Sequence, residues 1–448
     1  MAKLLSVTAL ARVFPEGQRT VAFALEYDCP LDGEFNVEAF SIVDRSLEPE
    51  LPASQRNILR AYSSSSPVCG AEHVPGRFVI LETDPVQKES FAIMNYTYEG
   101  KPNPFAPGPM GYQKPGEKPP EPPKGPPKAP GGPDPKKMGY TGPKQLKADV
   151  RQLVPIPAAD GQTVPPCECV CEAVRCPEAE RFRLGRYKDM PYNLYIPEGY
   201  DAERSYPLVL FIPDAAGRGT DPRVPLLQGI GGVVWASPED QAKHPCFVVC
   251  PAFGPEELLT HDDFTCLPRL YQVKELLDDL TERYSIDRDR IYTTGQSMGC
   301  MSSCELMCTW PDYFAGAILV AGQWDPERCG KAMWNQNLWI LVSENDLKAH
   351  PGMDAVTQEI LKNGGELVQT QWDARWDGPA LNAAVEKALA ILANVRYTLF
   401  DGDTVVPPGQ HAGPGSNHTN TWRVAYQIDA LRDWLFTNRR PACEGENS

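Results

Sequence analysis

The feature that most constrains this chain is a glycine-flanked serine between a strand-like run and a helix-like run. Residues 291–299 read Ile-Tyr-Thr-Thr-Gly-Gln-Ser-Met-Gly, with the serine at position 297. In a Gly-x-Ser-x-Gly turn, glycine lets neighbouring backbone pass close by, and the sharp bend holds the hydroxyl clear of its own main chain. Apolar spacing predicts a helix over 267–284, and residues 300–310 form a glycine-free helical stretch before Pro311. This order of elements predicts that Ser297 is a nucleophile; the alternative is a tight turn with an idle serine.

Continuous apolar runs indicate a mostly parallel sheet. They span residues 206–212, 246–250, 316–321, 338–342 and 396–400. Buried parallel strands have this pattern because helices cover both of their faces. In such a sheet the acid and the histidine of a catalytic triad follow the serine in chain order, each after a later strand.

Asp346 and His418 are the predicted partners of Ser297. Asp346 follows the fourth apolar run, and Glu344 is the alternative acid. His418 precedes an apolar-periodic stretch at 421–437 that predicts a terminal helix, so we expect it on the loop entering that helix; His411 is the alternative base. In these roles the histidine takes the serine proton, and the acid orients the imidazole.

An oxyanion formed at Ser297 needs two backbone N–H donors. Met298, directly after the serine at a helix N-terminus, is the first. The second should come from the loop after residues 206–212, through Ala215 or Asp214.

Several motifs resemble one group of proteins. Met-Pro-Tyr-Asn-Leu-Tyr-Ile-Pro-Glu-Gly-Tyr-Asp from Met190, Tyr-Pro-Leu-Val-Leu-Phe-Ile-Pro from Tyr206, and His-Thr-Asn-Thr-Trp from His418 resemble the polyhydroxybutyrate-depolymerase and feruloyl-esterase-like α/β-hydrolases. This group is often labelled "predicted peptidase" and is distantly related to prolyl oligopeptidases. The resemblance covers residues 180–437. It implies an α/β-hydrolase fold, a mostly parallel sheet flanked by helices, with the triad at Ser297, Asp346 and His418.

The chain departs from that group at two places. The group commonly has His-Gly-x-Gly after its first long strand, where this chain has Pro-Asp-Ala-Ala at 213–216. The segment 363–394 between acid and histidine is long and carries its own helical pattern at 381–392, so a lid or pocket wall is expected there.

The first hundred residues predict a small antiparallel β-sandwich. Strand-like segments at 4–14, 20–27, 77–82 and 91–98 are bounded by Gly, Pro and Asp. Some esterases that the later part resembles carry an immunoglobulin-like domain in this position. Residues 101–143 contain 15 prolines, a composition that cannot bury a core, and strand-like character resumes over 144–156. We therefore expect a sandwich domain at 1–157 containing a Pro-rich excursion at 101–143, and a catalytic domain at 158–448.

The net charge narrows the classes of partner that this chain can bind. A net charge of −16 argues against nucleic acid and anionic membranes as partners, and no stretch approaches the ~20 apolar residues of a membrane span.

The cysteines fall into two groups. The first group lacks the paired Cys-x2-Cys spacing of a zinc site, so a disulfide or free thiols are expected at Cys167, Cys169, Cys171 and Cys176. Cys300, Cys304 and Cys308 recur at helical spacing and should pack one helix face. Abundant thiols favour the cytoplasm, with export as the alternative if a leader has been removed.

These features together predict a serine carboxylesterase for small or aromatic-acyl esters, feruloyl-type esters being one candidate class. Gln323, Trp324 and Trp422 follow predicted strands and are the candidate substrate-binding residues. The alternatives are a serine peptidase of prolyl-oligopeptidase type, although no segment predicts a propeller, and a catalytically idle binding module. A small-molecule ester is the expected partner, no metal or cofactor is implied, and a homo-oligomer is left open.

Overall fold

The computed structural model describes residues 3–105 and 135–440. These residues divide into two compact units, one made of 3–105 with 141–180 and the other of 135–140 with 181–440. None of the helices within these described ranges is long and apolar enough to cross a membrane.

The first unit is a β-sandwich. Its strands are β1 (Leu4–Phe14), β2 (Gly17–Leu31), β3 (Glu34–Phe35), β4 (Phe40–Asp44), β5 (Ser54–Gln55), β6 (Ile58–Ser64), β7 (Gly76–Thr83), β8 (Ile93–Tyr96), β9 (Tyr140–Pro143), β10 (Ala148–Gln152), β11 (Ile156–Pro157), β12 (Thr163–Val164), β13 (Cys167–Cys171) and β14 (Ala173–Arg175). One sheet has the order β14-β1-β2-β7-β6-β3 and the other β13-β10-β4-β5. Inward side chains of both sheets, among them Phe23, Ile42, Leu81 and Val150, form one apolar core.

Two features of this unit bear on the predicted boundaries. Strands β13 and β14 pair with β10 and β1, so residues 158–180 belong to the sandwich and the division falls after residue 180 rather than after 157. Strands β8 and β9 pair with each other and flank the Pro-rich excursion. Residues 106–134 of that excursion lie outside the described residues.

The spacing of the Cys-x-Cys-x-Cys run is explained by strand geometry. Alternate residues of a β-strand face the same side, and Cys167, Cys169 and Cys171 all contact the sandwich core from β13. They are free thiols, as is Cys176. No group of His, Cys, Asp and Glu able to hold a metal ion is found within the described parts of the chain.

The second unit is built on a nine-stranded sheet. Its strands are β15 (Arg183–Tyr187), β16 (Met190–Tyr195), β17 (Tyr206–Ile212), β18 (Phe247–Pro251), β19 (Ile286–Gln296), β20 (Gly316–Val320), β21 (Leu338–Ser343), β22 (Leu367–Trp372) and β23 (Val395–Phe400). The order is β15-β16-β18-β17-β19-β20-β21-β23-β22. Strands β17 to β23 are parallel to one another, and β16 is antiparallel to both of its neighbours, β15 and β18. The five strands predicted from apolar runs are β17, β18, β20, β21 and β23.

Helices cover this sheet. In chain order the helices of the described residues are α1 (Pro135–Met138), α2 (Pro177–Glu180), α3 (Val224–Leu227), α4 (Pro238–Lys243), α5 (Arg269–Arg283), α6 (Met298–Thr309), α7 (Pro326–Met333), α8 (Ala349–Lys362), α9 (Gly378–Leu389), α10 (Pro414–Ala425) and α11 (Asp429–Thr437). Helix α5 buries Leu270, Val273, Leu277 and Leu280, the apolar stripe that predicted it.

Two expectations about this unit need correction. The segment 363–394 supplies β22 at the sheet edge and α9, which packs on that strand, so it is part of the sheet layers rather than a lid, and its residues form the wall of a cavity between β22 and α9. The stretch 421–437 is not one helix but the end of α10 and all of α11, separated at 426–428. His418 therefore lies within α10 rather than on a loop.

Candidate active site

Ser297 occupies a strained bend between β19 and α6. Its backbone has φ 52° and ψ −116°, a left-handed region that side chains with a Cβ rarely adopt. A Cβ built on Gly299 would lie 1.9 Å from the Ile212 carbonyl oxygen, and one on Gly295 would lie 2.5 Å from Gly299. The two glycines are required because the end of β17 passes directly against the bend.

The structure brings Ser297, His418 and Asp346 into one hydrogen-bonded chain. His418 Nε2 lies 2.8 Å from Ser297 Oγ, and His418 Nδ1 lies 2.5 Å from Asp346 Oδ2. The serine follows β19 and the aspartate follows β21, so the carboxyl ends of parallel strands place both at one edge of the sheet. Helix α10 supplies the histidine between them.

Asp346 also accepts two backbone hydrogen bonds at the start of α8. Its Oδ1 accepts hydrogen bonds from the backbone N–H groups of Lys348 at 3.1 Å and Ala349 at 3.0 Å. Burial alone would raise the pKa of this carboxyl, but the hydrogen bond and charge of His418, together with these backbone donors, hold the pKa below its usual value. The aspartate is therefore a fixed anion that can receive the imidazole Nδ1–H.

The two alternative residues lie elsewhere. Glu344 accepts a hydrogen bond from the Gly402 N–H at 2.8 Å. His411 is exposed, in the loop before α10. Within the described ranges, the imidazole that contacts both Ser297 Oγ and Asp346 Oδ2 is that of His418.

Two helical starts supply the candidate oxyanion donors. Met298, directly after Ser297, is the first residue of α6, and Ala215 is the first residue of a 3₁₀ turn, Ala215–Gly217, whose capping residue Asp214 is hydrogen-bonded to Gln296. The first N–H groups of a helical turn have no acceptor within the turn. The Ala215 N–H is one of these, whereas Asp214 precedes the turn and caps it with its side chain.

The three candidate substrate-binding residues differ in position. Trp422 packs edge to face on the His418 ring with centroids 5.2 Å apart. Gln323 follows β20 and donates to Asp262 Oδ1 at 3.1 Å, and Asp262 also forms an ion pair with Lys348. Trp324 is fully buried. Its indole N–H donates to Glu305 Oε2 at 3.0 Å, so it is part of the core rather than of a surface open to a substrate.

A buried polar cluster supports the helix that begins at the serine. Glu305 of α6 is 2% exposed and accepts hydrogen bonds from Trp324, from Tyr271 at 3.0 Å and from Arg328 at 2.6 and 3.1 Å. The cysteines of α6 pack on two neighbours. Cys300 lies against Gly322, two residues after β20, and Cys308 Sγ lies 3.7 Å from Cys329 Sγ of α7.

Sequence reasoning missed Asp262 and the side-chain role of Asp214. Asp262 lies on a loop closed by a bridge between Thr260 and Cys266, and that loop has no periodicity that would predict its position. Asp214 is an isolated polar residue in a loop, and only its backbone was a candidate.

Comparisons with known proteins agree with this architecture. The family described as "Esterase Ig-like N-terminal domain" matches residues 6–165. The crystal structure of a thermostable esterase superimposes over 97% of this chain and 100% of its own, with a TM-score of 0.75 and 24% sequence identity. The chain combines an immunoglobulin-like N-terminal domain with an α/β-hydrolase fold.

Two further matches are shorter or weaker. This chain is 38% identical over 61 residues to poly(3-hydroxyalkanoate) depolymerase C of Paucimonas lemoignei, and the match spans 14% of each protein. A feruloyl esterase module from Clostridium thermocellum aligns with 58% of this chain and 89% of its own, with 14% identity and a TM-score of 0.38.

Proposed function

We propose that this protein is a serine carboxylesterase that hydrolyses small or aromatic-acyl esters through an acyl-enzyme. The observation that carries the proposal is the chain of short contacts from Ser297 Oγ to His418 and on to Asp346. A serine hydroxyl is a weak nucleophile unless a neighbouring base takes its proton. The imidazole is in place to do so, with its other nitrogen oriented by a buried carboxylate.

The proposed reaction uses these residues in two halves. Ser297 Oγ attacks the ester carbonyl carbon while its proton passes to His418 Nε2, and the Met298 and Ala215 N–H groups stabilise the oxyanion. The tetrahedral intermediate collapses, the alkoxide leaves with the proton from Nε2, and the acyl group stays on Ser297. Water, deprotonated by the same nitrogen, then attacks the acyl-enzyme and releases the acid. Asp346 stabilises the imidazolium in both halves and keeps its own proton count unchanged.

Support for an ester substrate comes from the names of the relatives. The matched N-terminal domain is that of esterases, and the superimposable structure is an esterase. On the substrate side, the largely buried Trp422 packs on the His418 ring, and Gln323 with Asp262 supplies polar groups. These residues are the proposed wall for an aromatic or short acyl group, with Trp324 left out because it is buried.

Turnover of three substrates tests the proposal. We expect the wild-type protein to hydrolyse p-nitrophenyl acetate and a feruloyl ester faster than an aminoacyl-p-nitroanilide, and Ser297→Ala to lose turnover of all three. A fluorophosphonate probe should label the wild type and not Ser297→Ala, whose fold is checked by its thermal transition. Amide turnover above ester turnover would favour the peptidase alternative. No labelling and no turnover in folded wild-type protein would leave the binding module and reject the esterase.

A further inference from the structure

The side chain of Asp214 is a buried carboxylate beside the candidate triad that the proposed mechanism does not use. Its Oδ1 accepts a hydrogen bond from the Ala216 N–H at 2.6 Å, and its Oδ2 accepts one from the Gln296 side-chain amide at 2.7 Å. Gln296 is 1% exposed and directly precedes Ser297. One carboxylate thus joins the 3₁₀ turn that carries the Ala215 N–H to the residue before the nucleophile.

Several titratable groups surround this carboxylate. Asp214 interacts electrostatically with His418 and with the buried guanidinium of Arg218, and it acts on the hydroxyl of Tyr426. Arg218 donates to the Ala215 carbonyl at 2.6 Å, so it holds the same turn from its other side. Burial raises the pKa of the Asp214 carboxyl, and the hydrogen bonds from Gln296 and the turn, with the charge of His418, oppose that rise.

We propose that Asp214 is a positioning residue of the proposed esterase, which orients the Ala215 N–H toward the oxyanion. The inference rests on the proposed function. It follows from geometry: the carboxylate is hydrogen-bonded at 2.6 Å inside the turn that begins with Ala215 and at 2.7 Å to Gln296, the residue before the nucleophile, so it fixes the position of that turn relative to Ser297.

Two substitutions test the positioning role of Asp214. Asp214→Asn removes the charge and keeps the shape: its amide oxygen still accepts from the Ala216 N–H, and its amide N–H₂ can donate to Gln296 once that side-chain amide has rotated. Asp214→Ala removes charge and both hydrogen bonds. We expect Asp214→Ala to lower kcat for p-nitrophenyl acetate about 100-fold, the usual cost of losing one oxyanion donor, with little change in KM.

Asp214→Asn should behave differently. We expect its kcat to stay within about tenfold of the wild type, because only a charge is lost while the oxyanion donor is retained. A merely structural role for Asp214 would lower the Tm of Asp214→Ala and leave the kcat of the folded variant unchanged.

The outcomes that overturn the inference are distinct from failure of the proposed function. Asp214→Ala with wild-type kcat, or Asp214→Asn as impaired as Asp214→Ala, would each refute it. If Asp214→Ala fails to fold, the isosteric Asn variant decides alone, and a kcat more than about tenfold below the wild type would refute the inference. Absence of turnover by the wild type would reject the esterase and this inference together, whereas wild-type turnover with unchanged variants rejects the inference only.

Discussion

Because the backbone at Ser297 is strained, we predict that the Ser297→Gly variant is more stable than the Ser297→Ala variant. Both substitutions remove the hydroxyl and its contact with His418, but alanine keeps a Cβ at φ 52° and ψ −116°. A residue held in such a region costs about 1–3 kcal/mol. Glycine relieves that cost and gives back about 0.5–1 kcal/mol through its freer unfolded chain. The net expectation is that Ser297→Gly is about 1 kcal/mol more stable than Ser297→Ala.

Tryptophan fluorescence can measure this difference in the unit that matters. All nine tryptophans lie between residues 235 and 434, so their emission reports unfolding of the second unit and not of the sandwich. For a domain of this size, 1 kcal/mol corresponds to a shift in Tm of about 2–4 °C. Urea titrations with equal m-values would confirm that the two variants differ in stability and not in the surface exposed on unfolding. A glycine variant that is equal to or less stable than the alanine variant would refute the reasoning.

Three further predictions concern buried polar groups. Asp346→Asn should lower kcat by about 10³–10⁴-fold. Because the pKa of Asp346 is depressed in the folded state, its charged form stabilises the wild type fully above about pH 4. The urea midpoints of the wild type and of Asp346→Asn should therefore converge as the pH falls through that folded-state pKa. Glu305→Leu should cost about 2–4 kcal/mol by tryptophan fluorescence, since it leaves the Trp324 N–H without an acceptor, and Glu305→Gln should cost less. Cys171→Ser should destabilise the sandwich by about 1–3 kcal/mol in circular dichroism, because it buries a hydroxyl, whereas a chelator should leave the wild-type transition unchanged.

The parallel strands and the serine bend are predictable because their local pattern and their environment agree. All seven residues of β17 are buried, so a continuous apolar run is what such a strand requires. At the bend, Gly295 and Gly299 are needed because the backbone of Ile212 comes too close for a side chain with a Cβ. Chain order narrows the acid to Glu344 or Asp346 and the histidine to His411 or His418, and the hydrogen bonds of the structure join Asp346 and His418 to Ser297.

Elements at the rim and in the loops are less predictable, for physical reasons. Strand β22 is the edge of the sheet and alternates exposed and buried residues, Gln369 and Gln371 among the exposed, so it has no apolar run. Trp324 follows a strand and has the composition of a pocket residue, but its indole N–H needed a buried acceptor, which Glu305 provides from another helix. Contacts such as that between Asp214 and Gln296 join residues 82 positions apart, and no local pattern encodes them.

The thiols of β13 carry a lesson for reading cysteine motifs. On a loop, three cysteines at alternate positions invite assignment as ligands or as partners in crosslinks. On this strand, the same letters mark which side of the ribbon meets the sandwich interior. A motif scan that ignores the two-residue repeat of β structure would count these thiols as a ligand set, although their spacing records only how one strand packs.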